Sequence, residues 1–180
     1  MKILYLGPDS SLVTFLGNVR RTEEQIEDFG DADFVISYGY RHIIRNTAEL
    51  RRMDGRAINL HISYLPWNRG ADPNFWSWID DTPKGVTIHY LDAGIDTGDI
   101  IVQEKVVLNP SSTLRSSYND LHKAMIVMFK DYWPLIRRGS LGRHRQNGKG
   151  TYHKTADKEA YWSRLQKGWD TPISDVLTIS

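Results

Sequence analysis

The sequence predicts an α/β domain in which a mostly parallel sheet carries helices on its faces. Three apolar runs, at about residues 3–6, 34–37 and 57–61, have the length of buried strands, and segments of helical character separate them. A long amphipathic pattern toward residue 136 predicts a further helix. Strands joined by helices favour right-handed parallel crossovers, which place functional loops beyond the carboxyl ends of the strands.

The first half of the chain opens with a strand, a turn and a helix. "KILYLG" is a compact apolar run, and Asp9 or Ser10 just after it is a suitable N-cap for a short helix. The next strand covers Phe34 to Ser37, and a helix follows at about residues 46–53. "RAINLH" then forms another buried strand, which ends at His61.

The second half adds strands and the longest helix. In "KGVTIHYLD" the side chains alternate with a period of two, which is typical of a strand, and "GDIIVQEKVVL" supplies one or two more. A helix begins at Ser112 or Thr113 and presents apolar residues at three- and four-residue steps as far as Ile136. Its methionines and aromatic residues are predicted to be core. From Arg137 the chain becomes basic and rich in glycine, which predicts a loop or small hairpin.

Length and composition narrow the class of protein. A chain of 180 residues has the size of one domain. We expect a single domain over residues 1–180, with a core at about 1–136 and a basic, glycine-rich segment at 137–180. The 23 basic and 22 acidic residues give a net charge of +1, which disfavours general attraction to nucleic acid or anionic membranes. The absence of cysteine excludes disulfides and thiolate chemistry, and no apolar run is long enough for a membrane span, so a cytoplasmic protein is expected.

A candidate catalytic set lies on two segments. Asn59 and His61 are two residues apart in a strand, so their side chains point to the same side. An amide can donate to an oxyanion and an imidazole can carry a proton near neutral pH, a pairing that suits acyl transfer. The loop "LDAGIDTGDI" offers three carboxylates to orient the imidazole, and Asp96, flanked by turn residues, is the predicted partner.

Other interpretations of these residues stay open. A histidine after a strand can be an ordinary hydrogen-bonded loop residue, and Asp-Thr-Gly-Asp is a common turn composition. Four side chains could together ligate a metal ion. The H-E-x-x-H spacing does not occur, however, and no metal site is predicted. The four are His61, His89, Asp92 and Asp96. His89 is otherwise expected beside the catalytic residues or in the wall of the pocket. Phosphate-loop binding is excluded, because neither nucleotide-binding glycine motif is present.

Two motifs together resemble the formyltransferases that use 10-formyltetrahydrofolate. "INLHISYLPWNRGADP" is followed about 35 residues after His61 by "GIDTGDII". The resemblance extends from the first strand to about residue 108 and more loosely through the long helix. It implies a Rossmann-like formyltransferase core with a shortened N-terminal half, because only about 27 residues separate the first strand from "FVISYG". It also implies that Asn59, His61 and Asp96 form the catalytic set.

The resemblance further implies the ligand sites. The folate donor, with no metal, is expected on two loops, at Tyr40, Arg41, His42 and Ile43, and at Asp92, Ala93 and Gly94. The acceptor is expected on the segment after the catalytic strand, at Trp67, Asn68, Arg69 and Gly70. The tryptophans that follow in the same stretch, Trp76 and Trp78, are predicted to be packing residues.

The predicted function is an N-formyltransferase that moves a formyl group from 10-formyltetrahydrofolate to a small amine. The segment after Pro66 and the tail from Gly148 look closest to sugar-nucleotide N-formyltransferases and peptide-synthetase formylation domains, so a nucleotide-linked 4-amino sugar is the expected acceptor. The methionyl-tRNA enzymes carry a long C-terminal extension, which disfavours a tRNA acceptor for a chain of 180 residues. The alternatives are formylation of an aminoacyl group, hydrolysis of the folate donor, and a non-catalytic folate-binding module.

Overall fold

The computed structural model describes residues 1–179 and contains one six-stranded sheet with helices between its strands. Within these residues the chain runs through eight strands and six α-helices, with two short 3₁₀ turns near the C-terminus. In order these are β1 (Ile3–Leu6), α1 (Ser11–Leu16), β2 (Val19–Thr22), β3 (Phe34–Tyr38), α2 (Thr47–Arg52), β4 (Ala57–His61), β5 (Arg69–Gly70), α3 (Pro73–Ile79), β6 (Gly85–Tyr90), β7 (Ile100–Lys105), α4 (Leu114–Ile136), β8 (Tyr152–His153), the 3₁₀ turn Thr155–Lys158, α5 (Glu159–Trp162), the 3₁₀ turn Gly168–Asp170 and α6 (Ile173–Val176).

The large sheet has the strand order β2-β1-β3-β4-β6-β7. The pairs β1–β2, β1–β3 and β3–β4 are parallel, so the predicted mostly parallel α/β fold is confirmed. β6 is antiparallel to β4. Leu91 N donates to Ala57 O at 2.9 Å, and two residues further along β4 Asn59 lies opposite His89, which precedes Leu91 by two residues. β5 and β8 form a separate two-stranded parallel pair.

The predicted elements occur close to their expected positions. Ser10 is the N-cap of α1, where its hydroxyl accepts from Leu12 N at 3.3 Å. The segment "GDIIVQEKVVL" contributes one strand. The interval between β1 and β3 holds a compact helix and the edge strand β2, and the sequence did not predict β2 because Val19–Thr22 is neither buried nor apolar throughout.

The chain folds into two compact units. The first unit consists of residues 1–61, 88–102 and 126–146, and the second contains residues 62–87, 103–125 and the chain from 147 onward. The prediction of a single domain over residues 1–180 stays a prediction. Within residues 1–179, no helix combines the length and the apolar character that a membrane crossing requires.

The first unit has apolar packing centred on its parallel strands. One buried cluster joins β1, β3 and α2. Its members are Leu4, Leu6, Phe29, Ala32, Val35, Leu50, Met53 and Ala57. Elsewhere in this unit Phe34 meets Trp133 edge to face, with ring centroids 5.0 Å apart, and Phe129 stacks on Trp133 at 5.3 Å. These contacts confirm that the aromatic residues Phe129 and Trp133 of α4 belong to the core, whereas Tyr118 of the same helix is 44% exposed, so the prediction is wrong for that residue.

The second unit is organised around α3, whose middle residues are buried. Trp76 stacks on His153 with ring centroids 3.8 Å apart and planes 5° from parallel. The Asn74 amide donates to Leu114 O at 3.0 Å, which joins α3 to the start of α4. Trp76 and Trp78 are 3% and 6% exposed, so the predicted packing role is confirmed for these two tryptophans.

Candidate active site

The carboxyl end of β4 presents Asn59 and His61 on one side of the strand, as alternation requires. His61 is the last residue of β4 and is 7% exposed, and Asn59 is half-buried. Across the strand pair, His89 of β6 faces Asn59, with Asn59 Nδ2 and His89 Nε2 3.2 Å apart. Two imidazoles and an amide therefore meet within the first unit.

Asp96 completes this group from the loop between β6 and β7. Because β6 is antiparallel to β4, this loop starts beside Ala57, at the opposite end of β4 from His61, and must turn back to reach the histidine. Asp96 makes the turn with φ of 53°, a left-handed conformation that aspartate tolerates better than most residues. Gly98 allows the close return, since a Cβ there would clash with Tyr90 O.

The three predicted catalytic side chains are in contact. Asn59 Nδ2 donates to Asp96 Oδ1 at 3.0 Å, and His61 Nδ1 lies 3.7 Å from Asp96 Oδ2. The Asp96 side chain is 12% exposed, so its charge acts in a largely water-excluded setting that strengthens its interaction with an imidazolium. The structure thus brings together an amide, an imidazole and a carboxylate from two segments 35 residues apart.

His89 has a defined tautomer. Its Nδ1 lies 2.8 Å from Tyr90 O, and a carbonyl can only accept, so Nδ1 carries the hydrogen. In the neutral ring Nε2 is then an acceptor, and it faces the amide of Asn59. The sequence suggested a place for His89 near the catalytic residues, and it lies directly against Asn59 and 3.4 Å from Asp96 Oδ1.

This arrangement occupies both amide hydrogens of Asn59, one toward Asp96 and one toward His89. Donation to an oxyanion therefore requires one of the two bonds to be exchanged. The bond to His89 is the longer and lacks a charged acceptor, so it is the weaker of the two. The hydrogen shared with His89 is thus the one most readily redirected to a reacting oxygen.

A further residue, Gln146, holds the loop that carries Asp96. Its Nε2 donates to Asp96 O at 2.7 Å and to Gly98 O at 2.8 Å. No pattern in the sequence indicates this contact, because Gln146 stands in the basic, glycine-rich segment, 50 residues from Asp96.

The residues predicted to bind folate lie on two loops of the first unit. Tyr40 packs against the apolar cluster and donates its hydroxyl to Glu24 O at 2.7 Å, whereas residues 41–43 are exposed. Asp92 shapes the second loop, because its carboxylate accepts from Gly94 N at 3.1 Å and from the Thr97 hydroxyl at 2.8 Å. Ala93 and Gly94 are exposed at the turn. Their contact with folate stays a prediction.

The residues predicted to bind the acceptor lie in the second unit. Trp67, Arg69 and Gly70 are half-buried. Asn68 is 0% exposed, and its Nδ2 donates to the Thr82 hydroxyl at 2.7 Å. Its place in the acceptor site stays a prediction, but in this structure its amide supports the loop.

The structure also bears on the metal alternative. Within residues 1–179, no group of three or more histidine, aspartate or glutamate side chains is arranged to hold a metal ion. The Asp92 carboxylate instead accepts hydrogen bonds from Gly94 and Thr97 of its own loop.

The family assignment follows from comparison with known proteins. The family profile described as formyl transferase matches residues 19–130, which is more than half of the chain. The chain therefore belongs to the formyl transferase family, and the predicted family is confirmed. The matched region contains β4, β6 and the Asp96 loop.

Curated relatives include methionyl-tRNA formyltransferases. The enzyme of Bradyrhizobium diazoefficiens is 31% identical over 163 residues, which cover 87% of this chain and 50% of that enzyme. The enzyme of Nitrobacter winogradskyi is 30% identical over 169 residues, which cover 88% of this chain and 50% of that enzyme. The chain spans about half the length of these relatives.

One of the similar solved structures matches this chain over nearly its whole length. The formyltransferase PseJ from Anoxybacillus kamchatkensis, in complex with UDP-4,6-dideoxy-4-formamido-L-AltNAc and tetrahydrofolate, is 47% identical, with a TM-score of 0.92 and coverage of 98% of this chain and 97% of that one. The N-formyltransferase from Helicobacter canadensis, in complex with folinic acid and dTDP-3-aminofucose, shares the fold at 21% identity, with a TM-score of 0.70 and coverage of 87% and 72%. Both neighbours hold a folate, the donor class that the sequence resemblance implies.

Proposed function

We propose that this protein transfers the formyl group of 10-formyltetrahydrofolate to the amine of a nucleotide-linked sugar, with a UDP-linked 4-amino-4,6-dideoxy sugar as the acceptor class. The observation that carries the proposal is the meeting of Asn59, His61 and Asp96, with the carboxylate 3.0 Å from the amide and 3.7 Å from the imidazole. The amide can donate to an oxyanion, the imidazole can carry a proton, and the carboxylate can orient the imidazole. Formyl transfer to an amine requires these three roles.

The chemistry balances without a covalent enzyme intermediate. The acceptor nitrogen attacks the formyl carbon, a new C–N bond forms, and the carbonyl oxygen becomes an oxyanion. Collapse of this intermediate breaks the bond between the formyl carbon and folate N10. One proton leaves the attacking nitrogen and one is delivered to N10, so tetrahydrofolate and a formamide are the products.

Each side chain has a role in this sequence. His61, in its protonated form, donates to the oxyanion and exchanges protons with the reacting nitrogens, and Asp96 orients and stabilises the imidazolium. Asn59 supplies the second donor by redirecting the hydrogen that it shares with His89. His89 then remains fixed by its bond to Tyr90 O, so the change is confined to one hydrogen bond.

The donor is proposed to lie on the loops that flank this group. The exposed residues 41–43 follow β3, the parallel neighbour of β4, and the exposed turn at 92–94 leads into Asp96. Backbone groups of the second loop, shaped by the Asp92 carboxylate, are suited to the polar edge of a pterin. A folate on these loops would carry its formyl carbon on the side of the chain where the catalytic residues are.

The acceptor class rests on the extent of the likeness to PseJ. That structure contains a UDP-linked 4-formamido sugar, and its identity of 47% covers nearly all of both chains. The methionyl-tRNA relatives are 31% identical and match over half their own length. An aminoacyl acceptor is therefore the second candidate.

An acceptor screen tests the proposal. The purified protein is incubated with 10-formyltetrahydrofolate and, separately, with a UDP-linked 4-amino sugar, a dTDP-linked 3-amino sugar, methionyl-tRNA or no acceptor. Products are read by mass spectrometry as the gain of one formyl group, and formate release is measured in parallel. The expected result is fastest transfer to the UDP-linked 4-amino sugar, abolished in His61→Asn.

Three results would contradict it. Preferred transfer to methionyl-tRNA would establish the aminoacyl alternative, and formate release independent of any amine would establish a hydrolase. Folate binding without turnover would indicate a binding module.

A further inference from the structure

We propose that Gln146 is a positioning residue for catalysis, which acts by clamping the backbone on both sides of Thr97 so that the Asp96 carboxylate stays against Asn59 and His61. The inference rests on the proposed function, because it concerns the same carboxylate. Gln146 lies outside residues 19–130, the part of the chain that the family profile matches.

The clamp uses the full donor capacity of one amide. Gln146 Nε2 lies 2.7 Å from Asp96 O and 2.8 Å from Gly98 O, so each of its two hydrogens has an acceptor. Two carbonyl oxygens two residues apart that point to one place repel each other, and a shared NH2 group removes that repulsion. Both distances lie at the short end of the range for N–H···O hydrogen bonds.

The rest of the loop is held elsewhere. Near its start the Asp92 carboxylate accepts from Gly94 N and the Thr97 hydroxyl, and at its end Tyr90 N donates to Asp99 O at 2.9 Å. Asp96 itself has the left-handed φ of 53°, which is less favourable than right-handed backbone even for aspartate, so a bond to its backbone helps to hold this conformation. The Gln146 amide donates a hydrogen bond to the backbone carbonyl of Asp96.

The chain just before Gln146 is anchored to the first unit. His144 N donates to Ile100 O at 2.9 Å, and Ile100 N donates to His144 O at 2.8 Å, which fixes the chain two residues earlier. Arg143 binds the Asp54 carboxylate at 2.8 Å and lies 4.1 Å above the centre of the Tyr90 ring. An anchored backbone two residues before Gln146 lowers the conformational entropy that is lost when its amide is held against the loop.

The loop position matters because a carboxylate that is displaced by about 1 Å can cost about 100-fold in rate. A clamp that acts on Asp96 should change the chemical step and leave the binding of both substrates nearly intact, since its atoms face the loop backbone. A residue that only stabilises the fold would instead lower the amount of active enzyme, with kcat per folded molecule unchanged.

The test compares Gln146→Met, which keeps the side-chain length but has no N–H donor, with Gln166→Met at an exposed glutamine. We expect kcat per folded molecule to fall about 10- to 100-fold in Gln146→Met, with KM for folate and acceptor within about twofold of wild type. Gln166→Met should match wild type. Gln146→Lys, which restores a donor, should recover part of the kcat.

A second readout does not depend on turnover. Hydrogen exchange of the amides in residues 95–99 should accelerate in Gln146→Met and return toward wild type in Gln146→Lys, whereas exchange in residues 91–94, which the Asp92 carboxylate helps to hold, should not change. An unchanged kcat per folded molecule, or an unchanged exchange pattern in residues 95–99, would overturn the inference. If wild type transfers no formyl group to any acceptor, the proposed function fails on that result alone, while the exchange comparison still decides whether the clamp orders the loop. If Gln146→Met does not fold, Gln146→Glu, which keeps the shape of the side chain but has no N–H donor, carries both readouts against wild type.

Discussion

Two loops in this protein each contain a residue with left-handed backbone, but the side chains of these two residues have different roles. In residues 92–99, Asp96 has φ of 53°, and in residues 66–71, Asn68 has φ of 56°. Both loops are held by the segment that follows α4, the first through the Gln146 side chain and the second through Thr151. Yet the Asp96 carboxylate is directed to the proposed catalytic residues Asn59 and His61, whereas the side chain of Asn68 is 0% exposed and its hydrogen bonds support the fold.

The difference lies in which groups make the tethers. Asn68 is held through its own side chain as well as its backbone, because Thr151 Oγ1 accepts from Asn68 N at 2.8 Å and donates to Asn68 Oδ1 at 3.1 Å. Asp96 is held by Gln146 through its backbone carbonyl, so its carboxylate is left to face Asn59 and His61. Hydrogen bonds to the side chain of Asn68 give it a structural role. A hydrogen bond to the backbone carbonyl of Asp96 leaves its side chain available for the proposed chemistry.

The largest expected effect comes from removing the proton carrier. His61→Asn keeps a polar side chain of similar reach but cannot shuttle a proton, so kcat should fall by about 100- to 10,000-fold. Steady-state assays with the accepted amine measure this, and thermal unfolding checks that the fold persists. A near wild-type rate in His61→Asn would show that His61 does not carry the proton and would contradict a catalytic role for the residues around Asp96.

Asn59→Ala removes the proposed oxyanion donor. The expected loss in kcat is about 100- to 1,000-fold, because an amide donor acts mainly on the charge that develops in the transition state. Asn59→Asp serves as a matched variant, since it keeps the volume but places a second carboxylate beside Asp96. We expect Asn59→Asp to be at least as inactive as Asn59→Ala; recovery of activity by this variant would contradict the donor role.

Asn68→Ala tests the other loop. It leaves the Thr82 and Thr151 hydroxyls without their amide partner and puts a Cβ-bearing residue without a compensating side chain at φ of 56°, so unfolding free energy should fall by about 2–3 kcal/mol. Urea denaturation measures the loss. Asn68→Gly, which tolerates this φ, should lose about 1 kcal/mol less. Unchanged stability combined with a raised acceptor KM would instead place Asn68 in the acceptor site.

The smallest expected effect lies away from both loops and provides a baseline for the first unit. The hydrogen bond from Arg52 and the backbone N–H of Phe29 lower the pKa of Glu49 from 4.5 to about 2. A carboxyl group with a lower pKa in the folded state contributes stability above pH 4.5, and this contribution is lost as the pH falls through 4.5 toward about 2.

Glu49→Gln should therefore flatten the dependence of the melting temperature on pH between about 5 and 2.5. The formyl-transfer rate at neutral pH should not change. A pH slope equal to that of wild type would show that the Glu49–Arg52 pair does not contribute to acid stability.

Local patterns were enough for most of the elements. The apolar runs predicted β1, β3 and β4, because burial on both faces of a parallel sheet demands continuous apolar side chains. The two-residue spacing of Asn59 and His61 determined their common side, since alternation is a property of the strand itself. β2 escaped prediction because Val19–Thr22 at the sheet edge needs no apolar pattern.

The sequence by itself determined the α/β class, the family, and the residue types of the proposed catalytic group, because strand periodicity and motif spacing are properties of neighbouring residues. Only the tertiary structure decided that β6 runs against β4, that His89 faces Asn59, and that Gln146 holds the Asp96 loop. These contacts join residues 30 to 50 positions apart, and their geometry depends on how the whole sheet packs. Directional hydrogen bonds between such distant groups leave no periodic trace along the chain.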